Sequence, residues 1–174
     1  MKIRLATLED LEAITDIYNW AIQNTVATFD TIPKNLQEQK IWFDKHDAKH
    51  PIIIVEVDHE VVGWASLSSW SDRCAYDQTA EVSFYVREDF HGKGIGGALL
   101  IRLDQLAQEL HYHTLLSRIA GESAVSRHLH QKCGFADIGV MKEVGLKFGK
   151  LLDVYMMQKI YPLSKKTSQT ELQT

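Results

Sequence analysis

Four of the seven residues in His91-Gly-Lys-Gly-Ile-Gly-Gly97 are glycine, and the segment lies between two stretches of different hydrophobic period. Upstream, Thr79 to Val86 alternates as a strand does. Ala80, Val82, Phe84 and Val86 fall on one face, and Thr79, Glu81, Ser83 and Tyr85 on the other, so a carboxylate stands in mid-strand. Downstream, Leu99, Leu100, Leu103, Leu106 and Ala107 recur at helical spacing as far as about Leu110. Strand, glycine turn and helix in that order bring backbone N–H groups together at a helix N-terminus, where unpaired donors and the helix dipole favour an anion. Lys93 adds a cation within the loop. On this feature alone the segment reads as a phosphate cradle or as an ordinary tight turn.

Gly92, Gly94 and Gly97 also satisfy G-x-G-x-x-G, the pattern of dinucleotide-binding loops. In those loops the first glycine follows the strand directly. Here Arg87-Glu-Asp-Phe-His91 intervenes, and the nearest later acid past the next strand is Glu122, 25 residues beyond Gly97.

The net charge of −4 over 174 residues, with no Lys/Arg block, gives no electrostatic footprint for nucleic acid. An anionic ligand must therefore be held by local cations or by the backbone. No apolar run reaches the roughly 18 residues of a membrane span, and the N-terminus lacks a signal-peptide pattern, so a cytoplasmic protein is expected. Cys74 and Cys133 have no C-x-x-C spacing and read as free thiols. His111-x-His113 and His128-x-His130 invite a metal, but residues two apart on a helix point in different directions, and no metal is expected.

Elsewhere, Thr7 and Asp10 mark a helix start with the stripe Leu11, Ile14, Ile17, Tyr18, Ala21, Ile22, running to Asn24. Asn35 with Glu38 opens a short helix carrying Ile41, Trp42 and Phe43. Ile52 to Val57 and Val61 to Ser69 form a hairpin about Asp58-His59-Glu60, and Thr114 to Ala120 a strand. Ala124 to Cys133 is a helix capped by Gly134, and Phe135 to Lys142 and Leu151 to Ile160 are strands joined through Val144 to Gly149. The order predicts an α+β domain over residues 1–161, with a mixed sheet and helices on its faces, and a polar, disordered tail over 162–174.

With its glycine loop and Lys132-Cys-Gly-Phe135, the chain resembles the GNAT acetyltransferase superfamily. His91 stands where the loop signature has Gln or Arg. Dispersed stretches narrow the resemblance to the phosphinothricin and methionine-sulfoximine N-acetyltransferases: Ile17-Tyr18-Asn19, Ala27 to Thr31, Arg73 to Glu81, Ser126 to His130 and Val144 to Val154. This resemblance covers about residues 3–160. It implies a mostly antiparallel sheet, a homodimer, and acetyl-CoA held between the splayed strands Val82–Val86 and Leu115–Ala120. The cofactor contacts it implies are Phe84, Tyr85, Val86, His91, Gly92, Lys93, Gly94, Ile95, Gly96, Gly97, Ser123 and Ser126.

The acceptor implied is a small amino-acid analogue with a free α-amine, met by Phe29, Arg73, Tyr76 and Ser83. An α-ammonium must lose a proton before it attacks a thioester, and Glu81, the only acid in its strand, is the expected base. Glu81 paired with Arg73 or facing solvent is the structural alternative. A strand N–H near Tyr85 or Val86 is expected to polarise the carbonyl. His130, with its near-neutral pKa, is expected to protonate the departing thiolate or simply to pack on its helix. Arg73 suits a carboxylate or phosphinate, being able to bind it bidentately. Two alternatives stay open: the same fold acting on a polyamine, aminoglycoside or protein N-terminus, and a non-catalytic acyl-CoA-binding module.

Overall fold

The computed structural model describes residues 1–121 and 123–162, so Glu122 and the tail from residue 163 lie outside it. Seven strands, β1 (Lys2–Leu5), β2 (Ile52–Val57), β3 (Glu60–Ser69), β4 (Thr79–Val86), β5 (Thr114–Ala120), β6 (Ala136–Lys147) and β7 (Lys150–Ile160), form one sheet in the order β1-β2-β3-β4-β5-β7-β6. Four helices flank it: α1 (Leu11–Asn24), α2 (Leu36–Asp44), α3 (Ile95–Glu109) and α4 (Ala124–Lys132). This is the α+β architecture the sequence predicts.

Adjacent strands pair antiparallel except β4 and β5, which the α3 crossover makes parallel. Their pairing covers only Thr79, Ala80 and Glu81 against Thr114, Leu115 and Leu116. Beyond that point the strands part. Each remains anchored on its far side, β4 to β3 as far as Val86 and β5 to β7 as far as Ala120, so the sheet opens in its middle without fraying.

The two sheet faces are packed separately. On one, Leu99, Leu100 and Leu103 of α3 are fully buried against Val55, Leu67, Ala80 and Leu115; each such leucine contributes about 1.5–3 kcal/mol by leaving water. On the other, Ile14 and Ile17 of α1 meet Ile52, Ile54 and Trp64. β4 serves both cores, with Ala80 and Val82 in the first and Tyr85 against the second.

Local signals set most boundaries. Asn35 caps α2 reciprocally with Glu38: Glu38 N–H donates to Asn35 Oδ1 and Asn35 N–H to Glu38 Oε2, both at 2.9 Å. Asp58 and His59 (φ 50° and 67°) supply the two left-handed residues of a tight hairpin turn, and Phe148 and Gly149 (φ 50° and 73°) do the same between β6 and β7.

Three expectations need correction. Thr7 and Asp10 do mark the start, Thr7 N–H donating to Asp10 Oδ2 at 2.8 Å, but Leu8–Asp10 form a 3₁₀ turn, the Asp10 carboxylate being held also by two bonds from Arg4 (2.7 and 2.8 Å), and the α-helix begins only at Leu11. On α2, Gln39 is buried and Trp42 and Phe43 pack on the second core, while Ile41 turns outward and is 55% exposed. The segment Val144 to Lys147 is strand rather than connection. A register shift between Met141 and Gly145 absorbs Glu143 (φ 52°), whose N–H is held by Asp153 Oδ1 at 2.9 Å, and β6 then continues to Lys147. Among the described residues no helix is long and apolar enough to cross a membrane.

Candidate active site

The β4–β5 splay opens into a cavity of about 690 Å³, lined by Phe84 and Val86 of β4, Ser117 and Arg118 of β5, the glycine loop, and Ser123, Ser126 and His130 at α4. Arg87 N–H donates to Val62 C=O on β3. Because main-chain groups alternate sides along a strand, Val82, Phe84 and Val86 turn their N–H and C=O toward the open edge, and Tyr85 turns its own toward β3. The N–H expected near Tyr85 or Val86 to donate to a carbonyl therefore belongs to the even-numbered residues.

At one end of the slot, Gly92 and Gly94 adopt φ of 74° and 80°, conformations that disfavour a side chain. Gly94 is the N-cap of α3 and no side chain caps it, so the first N–H groups of the helix are free for an anion. A Cβ on Gly96 would lie 3.2 Å from the Phe84 ring, and one on Gly97 3.3 Å from Leu129, so glycine here brings the helix close to β4 and α4. His91 is already engaged: its N–H donates to Glu88 C=O and its Nε2–H to Val86 C=O at 2.8 Å, which anchors the loop. Lys93 stands over the Phe90 ring at 4.4 Å and is not part of the cavity wall.

Ser123 caps α4, its Oγ accepting from Ser126 N–H at 3.3 Å, which leaves its hydroxyl proton available. His130 is 2% exposed, and burial pushes its pKa below the usual imidazole value. Its Nδ1 lies 2.8 Å from Ser126 C=O, which can only accept, so the ring proton is on Nδ1. Nε2 then accepts from Ser117 Oγ at 2.9 Å. The imidazole is neutral, and its one proton is committed to the helix backbone.

A second, polar cavity of about 310 Å³ lies on the α1/α2 face, with Tyr18, Lys34, Gln39, Trp64 and Ser66 in its wall. Ser83 and Tyr85 line both cavities, so the two meet across β4. Burial pushes the Tyr85 phenol up to about 12. Beside this cavity the segment between α1 and α2 is tied at several points. Asn19 brackets Lys34 by bonds to its N–H and C=O (2.7 and 2.8 Å), Tyr18 donates to Asp30 at 2.8 Å, and the buried Lys147 donates to Thr28 C=O at 2.7 Å. Burial lowers the Lys147 pKa. The Phe29 ring covers Gly145 so closely that a Cβ there would fall into it.

Glu81 is two residues from Ser83 on the same face of β4, with its side chain 14% exposed. Its partner is neither Arg73 nor solvent. Arg118 Nε and Nη2 donate to Oε1 and Oε2 at 2.5 and 2.6 Å, and that pairing raises the Arg118 pKa. Arg118, Ser117 and Lys147 were missed by the sequence reading. For Arg118 there was a signal, a lone charge inside the apolar run Thr114 to Ala120. Arg73 and Tyr76 are exposed in the β3–β4 connection and line neither of these two cavities; of the four expected acceptor residues only Ser83 lines them. No cluster of three metal-ligating side chains occurs among the described residues.

The model of the acetyltransferase (GNAT) family matches residues 14–135. The chain belongs to the GNAT acetyltransferase family. Within it, the chain is similar to the L-amino acid N-acyltransferase MnaT of Escherichia coli, 36% identical over 159 residues covering 91% of this chain and 92% of that protein. It is also similar to the L-methionine sulfoximine/L-methionine sulfone acetyltransferase of Pseudomonas aeruginosa, 38% identical over 158 residues covering 90% and 92%. A GNAT phosphinothricin acetyltransferase from Sinorhizobium meliloti, solved in complex with acetyl-CoA, superposes with a TM-score of 0.92 at 32% identity over 98% of this chain and 93% of that one. The GNAT fold is thus the architecture described above, and relatives over most of the chain carry the subfamily's names. The residues present suit a GNAT donor: a pyrophosphate can lie against the uncapped start of α3, and the open edge of β4 has the free N–H groups that an extended amide arm requires.

Proposed function

We propose that this chain transfers the acetyl group of acetyl-CoA to the α-amine of a small amino-acid analogue of the phosphinothricin, methionine sulfoximine or methionine sulfone type. The observation that carries the reading is the meeting of the two cavities across Ser83 and Tyr85 at the mouth of the splay, with Glu81 on the same face. The glycine loop and the β4 edge hold the donor. The polar cavity and its loops hold the acceptor.

Acetyl-CoA, when bound, supplies an activated thioester. The N–H of Phe84 or Val86, fixed at an open strand edge, stabilises negative charge on the carbonyl oxygen without reorganising. Glu81 takes one proton from the acceptor ammonium and passes it to solvent; the nitrogen gives up its second as the C–N bond forms and the C–S bond breaks, and that proton leaves with the thiol. His130 acts here as a positioning residue, because its neutral ring accepts the Ser117 hydroxyl and so orients the polar wall of the slot.

The assembly we propose is a homodimer through the β6–β7 hairpin, where Val144, Leu146, Phe148 and Leu151 are 53–66% exposed at the sheet edge. Sedimentation is expected to give twice the chain mass, and Leu146→Glu to lower it; a wild-type monomer would remove the dimer. Free, unbridged Cys74 and Cys133 accord with a reducing, cytoplasmic setting.

Thiol release from acetyl-CoA tests the activity. Methionine sulfone and phosphinothricin are expected to support turnover and spermine to support far less. Faster reaction with spermine would favour the polyamine reading, and binding of acetyl-CoA without turnover on any amine would leave a binding module.

A further inference from the structure

We propose that the Glu81–Arg118 ion pair is the receptor for the acceptor zwitterion, so that Arg118 selects amino acids over simple amines. This rests on the acceptor class proposed above and adds what recognises it.

Three observations carry the inference. The pair is bidentate yet lopsided in exposure: the Arg118 side chain is 53% exposed and lines the donor cavity, while Glu81 is 14% exposed and reaches that wall only through Arg118. The guanidinium also stands 5.7 Å from the centre of the Trp70 ring, so its position does not depend on Glu81 alone. Finally, each oxygen of Glu81 accepts one N–H from the same guanidinium, so a second carboxylate can take over that fork without leaving either partner bare.

An α-amino acid offers the complement of this pair, a carboxylate and an ammonium separated by one carbon. Exchanging one carboxylate for another on the guanidinium keeps Arg118 paired bidentately and releases Glu81 to face the ammonium. The exchange brings the reacting nitrogen to its base and costs no unpaired charge. A simple amine brings only the cation. It leaves Arg118 on Glu81, with no carboxylate to draw the guanidinium away. Arg73, exposed and outside both cavities, has no such arrangement with Glu81.

The test compares methionine sulfone with 3-(methylsulfonyl)propylamine, its decarboxylated counterpart, by kcat/KM in the wild type, Arg118→Gln, Arg118→Lys and Arg73→Gln, with acetyl-CoA binding measured for each. The wild type is expected to prefer the amino acid by roughly a hundredfold, the worth of a charged bidentate contact. Arg118→Gln should collapse that ratio toward unity, mainly through acceptor KM, with acetyl-CoA binding retained. Arg118→Lys, which keeps the charge and loses the fork, should fall between. An unchanged ratio in Arg118→Gln, a collapse caused by Arg73→Gln instead, or a wild type without preference would overturn the proposal. Should Arg118→Gln fail to fold, a wild-type ratio in the lysine variant would overturn it equally. A wild type that binds acetyl-CoA and acetylates neither compound would overturn the acceptor reading itself.

Discussion

The donor half of this molecule and its acceptor half are built by different means. Around the glycine loop, recognition comes from the main chain: left-handed Gly92 and Gly94, the uncapped start of α3, and the N–H edge of β4 left free where β5 departs. Around the polar cavity it comes from side chains brought together over long separations. Lys147 reaches Thr28 across 119 residues, and where the two cavities meet Arg118, in the wall of the donor cavity, reaches Glu81 across 37. A backbone site tolerates most side-chain changes and fails when a Cβ is forced on it. A side-chain site fails at single contacts, and can be retuned for another acceptor without disturbing the donor.

The sharpest way to break this division is Glu81→Gln. Removing a general base is expected to lower kcat by about 10²–10⁴-fold while acetyl-CoA affinity stays nearly unchanged; steady-state kinetics beside a binding titration checks both, and a matched loss of cofactor binding would mean that the halves are not separate. Next is Gly145→Ala, which drives a methyl into the Phe29 ring. Such overpacking costs about 1–3 kcal/mol if the ring cannot move, and displacing Phe29 shifts the α1–α2 segment that carries Asp30 and Lys34 of the polar cavity, which should raise the acceptor KM and leave that for acetyl-CoA alone. Gly94→Ala is the mirror experiment. With no atom within 4 Å of the new Cβ, its effect is purely conformational, from φ of 80°; a cost of about 1–2 kcal/mol should appear in acetyl-CoA KM and not in the acceptor's.

The smallest effect expected is on stability against pH. Burial lowers the pKa of His46 on the acceptor side and of His130 on the donor side below the usual imidazole value of 6.5. A depressed folded pKa means that the folded state binds fewer protons, so this stability is complete above pH 6.5 and is lost as pH falls below it. Thermal melts at descending pH should show the decline, and His130→Gln and His46→Gln should each remove their own share. Melting that is flat or rises on acidification would contradict the assignment of neutral imidazoles.

How much of this was legible in the sequence follows from the same division. The donor half is mostly local, one strand, one loop and one helix in succession, so alternation, glycine spacing and helical periodicity disclosed that unit, while Ser123 and Ser126 at α4 came only from the resemblance to the family. The alternation of β4 also disclosed Glu81 as a carboxylate in mid-strand. Its partner was not legible, because the parallel pairing that brings β5 beside β4 depends on the α3 crossover, and no local pattern sets that register. Lys147 was hidden for a related reason. The segment Val144 to Gly149 reads as a turn by composition, and only the bulge at Glu143 carries it on as strand and turns the lysine inward. His130 was legible as a residue and not as a state: its tautomer depends on the Ser126 carbonyl and Ser117 hydroxyl that it meets after folding.

The measurement that bears most directly on the account is calorimetric titration of the purified protein with acetyl-CoA, with NADH titrated in parallel, since both ligands would use the same glycine loop. Saturable binding of acetyl-CoA with no heat from NADH is the predicted result. Binding of NADH alone would contradict it, and the donor half, with the roles given to Glu81 and Arg118, would have to be abandoned.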